Sequence, residues 1–218
     1  SLAEGTFRIK DLVSRVGELG QPAVAVTDSG NLFAALEFST LAAEAGIQPV
    51  IGVQMMLTEN DQTVDRQPET AAHTGEVVLL VQNAAGWTNL SRLVSAALLE
   101  SEGEPAIAVS ALEKNGEGLI LLSGGARRGF VGAAAAAGQE ALARSRLEKL
   151  AAALPGRVYV ELQRHGLASQ QQAEPVLLRF AEELGLPLVA TNDSYFAASH
   201  QADAHDVLLC ISAGMTIS

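Results

Sequence analysis

Short apolar runs and longer stretches of helical period alternate along this chain, the pattern left by strands buried on both faces and by the helices that cover them. Runs at PAVAVTD (22–28), QPVIGVQMML (48–57), EVVLLVQ (76–82), GLILLSG (118–124), RVYVELQ (157–163) and LPLVATND (186–193) predict six strands. Helical patterning predicts helices near 8–19, 30–45, 86–100, 138–153, 168–184 and 197–213. In the first of these, Leu12, Val13, Val16 and Leu19 form one apolar stripe, and Gly20 suits the left-handed position that ends a helix. The ending recurs in EAGIQP (44–49) and ELGLPL (183–188), where glycine stops a helix and proline opens the next strand. Repeated units of this kind predict an α/β fold with a parallel sheet, open or closed into a barrel. The segment TENDQTVDRQPETAAHTG (58–75) breaks the rhythm. It is polar without apolar period, and predicts a flexible surface excursion with His73 exposed in it.

Composition narrows the class. With 218 residues, 48% hydrophobic and 18% charged, the chain can bury a large core and lies within the size range of single-domain α/β barrels. No apolar run reaches the ~18 residues of a membrane span, and GAAAAAG (132–138) is too short to be one. The segment SLAEGTFRIK lacks the apolar centre of a secretory signal, and the single cysteine, Cys210, excludes an internal disulfide. Both point to the cytoplasm. The net charge of −11 repels a phosphate backbone, so direct nucleic-acid binding is not expected. The pair of arginines in ARRG (126–129) reads as a solvated loop or helix end.

In parallel βα architectures, chemistry gathers where the carboxyl ends of strands meet. Asp28, Ser29, Gln54, Ser123, Glu161, Gln163, Asn192 and Asp193 are expected at those ends. A carboxylate-rich rim suits hard cations or acid/base work, whereas transition-metal sites usually add imidazoles. Of four histidines, only His165, just past a strand, stands near the rim. His200 and His205 are five apart on a helix, which is not a same-face spacing for a metal pair. There Ser199 is the expected cap, Asp203 supports the first turn, and Leu208, Leu209 and Ile211 are expected to be buried.

The stretches AVAVTDSGNLFAALEFSTLAAEAGIQPVIGVQ, LLVQNAAGWTNLSRLVS, GLILLSGG, VYVELQRHG and LVATNDSYF with AHDVLLCISAGMTI, in that order, resemble the polymerase and histidinol phosphatase (PHP) domain of bacterial DNA polymerase III alpha subunits. The resemblance covers essentially residues 1–218. It implies a distorted seven-stranded βα barrel with a cluster of metals at its carboxyl-end rim, and a first strand that is missing or incomplete here, since SLAEG falls inside the turn that follows the family's His-x-His pair. Glu4 stands where the family has aspartate, Ser29 and Tyr195 replace histidines, and Gln54 replaces a carboxylate. Glu76 stands where a histidine often begins the next strand, Gly125 where a cysteine is common, and Asp193 is kept.

A tyrosine at pH 7 is a neutral phenol, with a pKa near ~10, and does not stand in for imidazole. The resemblance therefore implies a vestigial cleft of Glu4, Ser29, Gln54, Glu76, Gly125, Asp193 and Tyr195, with Asp28, Glu161, His165 and Asn192 on its rim. No catalytic residue, metal or cofactor is expected, although oxygen ligands alone can hold Mg²⁺ or Mn²⁺ weakly. The implied role is that of an N-terminal scaffold domain of a replicative polymerase chain. Its implied partners are the rest of that chain and the proofreading exonuclease subunit, epsilon. The alternative is a residual metal-dependent phosphoesterase or 3′–5′ exonuclease.

Overall fold

The computed structural model describes residues 8–59, 74–101, 105–196, 198 and 201–215, which form an α/β fold. They divide into two compact units interleaved along the sequence. The first holds α1 (Ile9–Glu18), most of β1 (Ala23–Ser29), α2 (Ala35–Glu44), the start of β2 (Gln48–Thr58) and α8 (Ala202–Ala213). Its core is Val13 and Val16 of α1 against Phe38, Ala42 and Ile47, with Val24, Val26 and Ile51 packed around them. The glycine joints are as the sequence predicts: Gly20 and Gly46 take φ of +64° and +71°, conformations that cost glycine little. The Gln48 amide then donates to the Pro22 carbonyl at 2.8 Å, setting the first residues of β2 beside β1. Leu19 corrects the predicted stripe, because it is the residue after α1 and is 55% exposed.

The second unit carries the larger core. It contains the rest of β2, then β3 (Thr74–Val81), α3 (Ala84–Glu100), β4 (Ala106–Ala108), α4 (Val109–Asn115), β5 (Leu119–Leu122), α5 (Gly132–Ala136), α6 (Glu140–Ala153), β6 (Val158–Leu162), α7 (Ala168–Leu184) and β7 (Leu188–Ala190). The strand order here is β2-β3-β5-β6-β7, with β4 added to β2. Val53, Met55 and Leu57 of β2, Val77 and Leu79 of β3, and Leu119 and Leu121 of β5 are all fully buried. Alternate positions face the core in β3, as the two-residue period of a strand requires.

The sheet is mixed, which corrects the expectation of a parallel one. Strand β3 runs antiparallel to both β2 and β5, while β5, β6 and β7 are parallel. The reason is visible in the segment between β2 and β3, whose sequence has no helical period. Strands consecutive in sequence that pair directly in one sheet reverse direction, whereas a parallel pair needs a long crossover connection. The ends of the predicted excursion are also ordered. Thr58 closes β2, Thr74 pairs with it across the ladder, and Glu59 is held by two cations; residues 60–73, with His73, lie outside the described residues. Strand β4 and helices α4 and α5, of three, seven and five residues, are too short to leave a period in the sequence.

Helix α8 begins later than predicted. Ser199 and His200 lie outside the described residues, Gln201 is the residue before the helix, and Asp203 sits in its first turn. His205 is buried and Leu208, a turn away, is half-buried, but Ile211 is 71% exposed and Leu209 is 38% exposed. Ile211 lies six residues on from His205, about 240° around the helix, and so faces the other way.

One buried cation anchors α6. Arg146, 3% exposed, donates through Nε to Glu59 Oε1 at 2.7 Å and through Nη1 to the Phe130 carbonyl at 2.8 Å, with its guanidinium 4.5 Å from the Phe130 ring centroid. Lys149 reaches the second Glu59 oxygen at 3.2 Å. Burial alone would raise the Glu59 pKa, but hydrogen bonds and charge from Arg146 and Lys149 outweigh it and hold the carboxyl below its ordinary value of 4.5. A depressed carboxyl stabilises fully above its unfolded pKa and loses that contribution as pH falls through the folded one. Glu59→Gln should cost about 3–5 kcal/mol at pH 7, because it leaves Arg146 buried without its counter-charge. Denaturant titrations from pH 7 to pH 3 should show the gap between wild type and variant shrinking below pH 4.5.

Candidate functional site

Glu76 is the third residue of β3, and its antiparallel course brings it to the end of the sheet where β5 finishes. Its amide donates to the Arg128 carbonyl at 2.7 Å and its carbonyl accepts from the Phe130 amide at 2.8 Å, so the loop after β5 is laid along the start of β3. That placement aligns two side chains on one carboxylate. Gln54 Nε2 donates to Glu76 Oε2 at 2.7 Å, and Arg128 Nε pairs with Glu76 Oε1 at 3.0 Å. Gln54 is inside β2, not at its carboxyl end as expected, since the strand continues to Thr58. Arg128 was missed as a site residue: its charge looked solvated, and it is 54% exposed, yet it serves as the counter-charge of Glu76.

A second cluster lies at the end of β6. Glu161 is 5% exposed; its amide donates to Ser123 Oγ at 3.0 Å, and its Oε1 accepts from the Thr191 hydroxyl and from Gln163 Nε2 at 3.2 Å. Gln163 also accounts for Gly125. A Cβ built on Gly125 would stand 2.5 Å from Gln163 Oε1 and 2.9 Å from its Cδ, so the amide occupies the space a larger residue at 125 would need. Thr191 and Gln163 carried no motif that marked them as one group. Only the parallel pairing of β6 with β7, which sets Glu161 opposite Val189, brings them together.

His165 and Asn192 do meet: His165 Nε2 lies 3.3 Å from Asn192 Oδ1. The buried Gln170 at the start of α7 fixes the imidazole. Gln170 Oε1 accepts from the His165 and Leu167 amides, at 2.7 and 3.4 Å, which leaves Gln170 Nε2 to donate to His165 Nδ1 at 3.0 Å. The ring proton then sits on Nε2, facing Asn192. Ser29 ends β1 exposed, its carbonyl accepting from Asn31 Nδ2 at 2.9 Å. The other positions belong to the first unit. There Asp28 is buried, Asp193 is exposed, and the Tyr195 ring stacks on His205 at 5.3 Å, with Phe196 on the same imidazole at 5.4 Å. Glu4 lies outside the described residues.

Among the described residues, the donors in these clusters do not make a transition-metal ligand set. Glu76 has both oxygens engaged by protein donors, Gln54 offers a neutral amide, Gly125 offers no side chain, and the His165 Nδ1 lone pair is taken by Gln170. Among the described residues, no group of three His, Cys, Asp or Glu side chains is placed to hold a metal ion. No helix among them is long and apolar enough to cross a membrane.

The family model of the PHP domain matches residues 1–165, and the chain belongs to that family. Its sequence relatives place it more narrowly. It is 43% identical over 217 residues to the DNA polymerase III alpha subunit of Caulobacter vibrioides, covering 98% of this chain and 18% of that protein. The alpha subunits of Borreliella burgdorferi and Thermus aquaticus are 33% and 36% identical, again with 98% and 100% of this chain covered. The chain thus spans about a fifth of the length of these relatives. Among solved structures, a protein described as a metal-dependent phosphoesterase from Bifidobacterium adolescentis has the same fold, with a TM-score of 0.59 at 13% identity over 88% of this chain and 84% of that one.

If Gln163 fills the space beside Gly125, substitutions at the two positions are coupled. Gly125→Ala should destabilise by about 1 kcal/mol by displacing the Gln163 amide from Glu161 and Thr191. Combined with Gln163→Ala it should cost less than the sum, with a coupling of about 0.5–1.5 kcal/mol in a double-mutant cycle read from denaturant midpoints.

Proposed function

We propose that this chain is the PHP domain of a DNA polymerase III alpha subunit, acting in the cytoplasm as a non-catalytic scaffold that docks the proofreading exonuclease subunit epsilon. The observation that carries the reading is Glu76. A carboxylate at a family ligand position is compensated from within the protein, by Gln54 and Arg128, and no cation is needed to neutralise it. Glu161 is likewise engaged by Thr191 and Gln163. Two-metal hydrolysis needs an activated water and a stabilised leaving group, and both depend on ligands that Ser29, Gln54, Gly125 and Tyr195 do not provide. The templated polymerisation of the whole subunit belongs, in this reading, to the polypeptide beyond this domain. Direct contact with DNA is left to those regions, since this domain carries a net charge of −11.

A second reading, a residual metal-dependent phosphoesterase or 3′–5′ exonuclease, is favoured by the description of the Bifidobacterium neighbour and by the acids that remain, Asp193 with Glu76 and Glu161. The two readings separate on activity and on metal content. The purified protein should hold fewer than one zinc or manganese per chain by elemental analysis. It should show no phosphatase or 3′–5′ exonuclease activity above background with added Mn²⁺; activity abolished by Asp193→Ala would establish the hydrolase instead. For the docking role, calorimetry with the full alpha subunit and its cognate epsilon should find binding that Asp193→Asn changes by less than threefold, about 0.7 kcal/mol. Unchanged affinity after the domain is swapped for one that does not bind epsilon would refute docking here.

A further inference from the structure

Helix α3 has two unlike sides. Leu90, Leu93, Val94 and Ala97 are buried, and the helix packs on β3, β4, β5 and α4. Its outer side carries Trp87, 42% exposed, with Leu98 and Leu99 at 49% and 85%. Thr88, Arg92 and Ser95 are exposed between them. In helical projection these six residues occupy one continuous arc, because 87 and 98 are three turns apart and 88, 92, 95 and 99 follow at intervals of three and four.

This arc differs from the other long solvated helices of the unit, where charge pairs cover the surface: Arg144 with Glu148 along α6, Arg144 with Glu183, and Arg179 with Glu140 between α6 and α7. From Ala84 to Leu99, α3 has a single charge, Arg92. Its guanidinium donates to Asn89 Oδ1 at 3.3 Å, and among the described residues it makes no ion pair. Two hydroxyls nearby bond within the helix: Thr88 Oγ1 donates to the Ala84 carbonyl at 3.2 Å and Ser91 Oγ to the Trp87 carbonyl at 2.9 Å. Such a face loses little when it is dried. Small residues let another backbone approach, and Trp and Arg are the side chains that most often anchor interfaces. Arg92 is the one cation of the face, and among the described residues no carboxylate pairs with it.

We propose that the outer face of α3 is a docking surface for a helical segment of the same, longer polypeptide, apolar toward Trp87 and Leu98 and carrying a carboxylate against Arg92. This rests on the reading of the chain as one domain of a polymerase alpha subunit. The relatives are long enough to supply the occupant, since this chain covers only 18% of the Caulobacter subunit. A segment tethered on the same polypeptide competes at a high effective concentration, which favours it over a separate protein.

The test uses the full-length subunit, with Leu98→Cys on the face and Glu182→Cys on α7 as an exposed control. Peptide-resolved maleimide labelling should be at least tenfold slower at 98 than at 182, and Arg92→Glu should bring the rate at 98 to within threefold of the control. Equal rates in the two single variants would overturn the proposal. Protection that appears only when the exonuclease subunit is added would overturn it too, by making a separate subunit the occupant. Protection that Arg92→Glu leaves unchanged would overturn the carboxylate contact. Hydroxyl-radical footprinting of Trp87 in the unsubstituted subunit gives the same comparison without a change in the face, and oxidation as fast as that of a free tryptophan would refute coverage. Templated synthesis by the same preparation checks the underlying reading separately: synthesis with an unprotected face overturns the surface alone, and a full-length protein that makes no DNA overturns the reading.

Discussion

Charge compensation at Glu76 organises the larger unit. A half-buried carboxylate is tolerable only if protein donors replace the water it has lost, and here they come from two directions, the neighbouring strand through Gln54 and the loop after β5 through Arg128. The loop is held by the Glu76 backbone as well, through Arg128 and Phe130. Fixing Phe130 in turn supplies the ring and carbonyl that receive Arg146, and Arg146 binds Glu59 at the end of β2. A single path of polar contacts therefore runs from the start of β3 through the loop and α6 back to β2, around a core of fully buried leucines and valines. Arg146 is the buried member of that path, so removing Glu59 takes the counter-charge from a guanidinium that is 3% exposed.

The six long helices and six apolar strands are legible in the sequence because each repeats its period often enough to be read, and because glycine joints such as Gly20 and Gly46 mark their ends. What is not legible is direction. Nothing in EVVLLVQ distinguishes an antiparallel strand from a parallel one buried on both faces, and only the absence of a helical period before it carries that information. The same limit hides the site. Glu76 could be picked out from the family pattern, but Arg128 could not, since its role depends on a loop laid against β3 by backbone hydrogen bonds. Gln163 and Thr191 are ordinary polar residues until the register of β6 and β7 sets them on one carboxylate.

The two clusters each surround a carboxylate with the protein's own groups. One brings a guanidinium and an amide to Glu76; the other brings hydroxyl and amide donors to one oxygen of Glu161, with a glutamine that fills the space at Gly125. In each, hydrogen bonds from neighbouring strands and loops hold the carboxylate, so its position is set by the fold.

His165 carries a different consequence. Its ring lone pair is used as an acceptor by Gln170, the residue that also ties down the amides entering α7. The imidazole therefore ties the segment after β6 to the first turn of α7 through one amide side chain. The part of the molecule to register the loss of that ring would be the first turn of α7, whose fraying would appear in hydrogen exchange, so that the imidazole acts as a fastener for a helix.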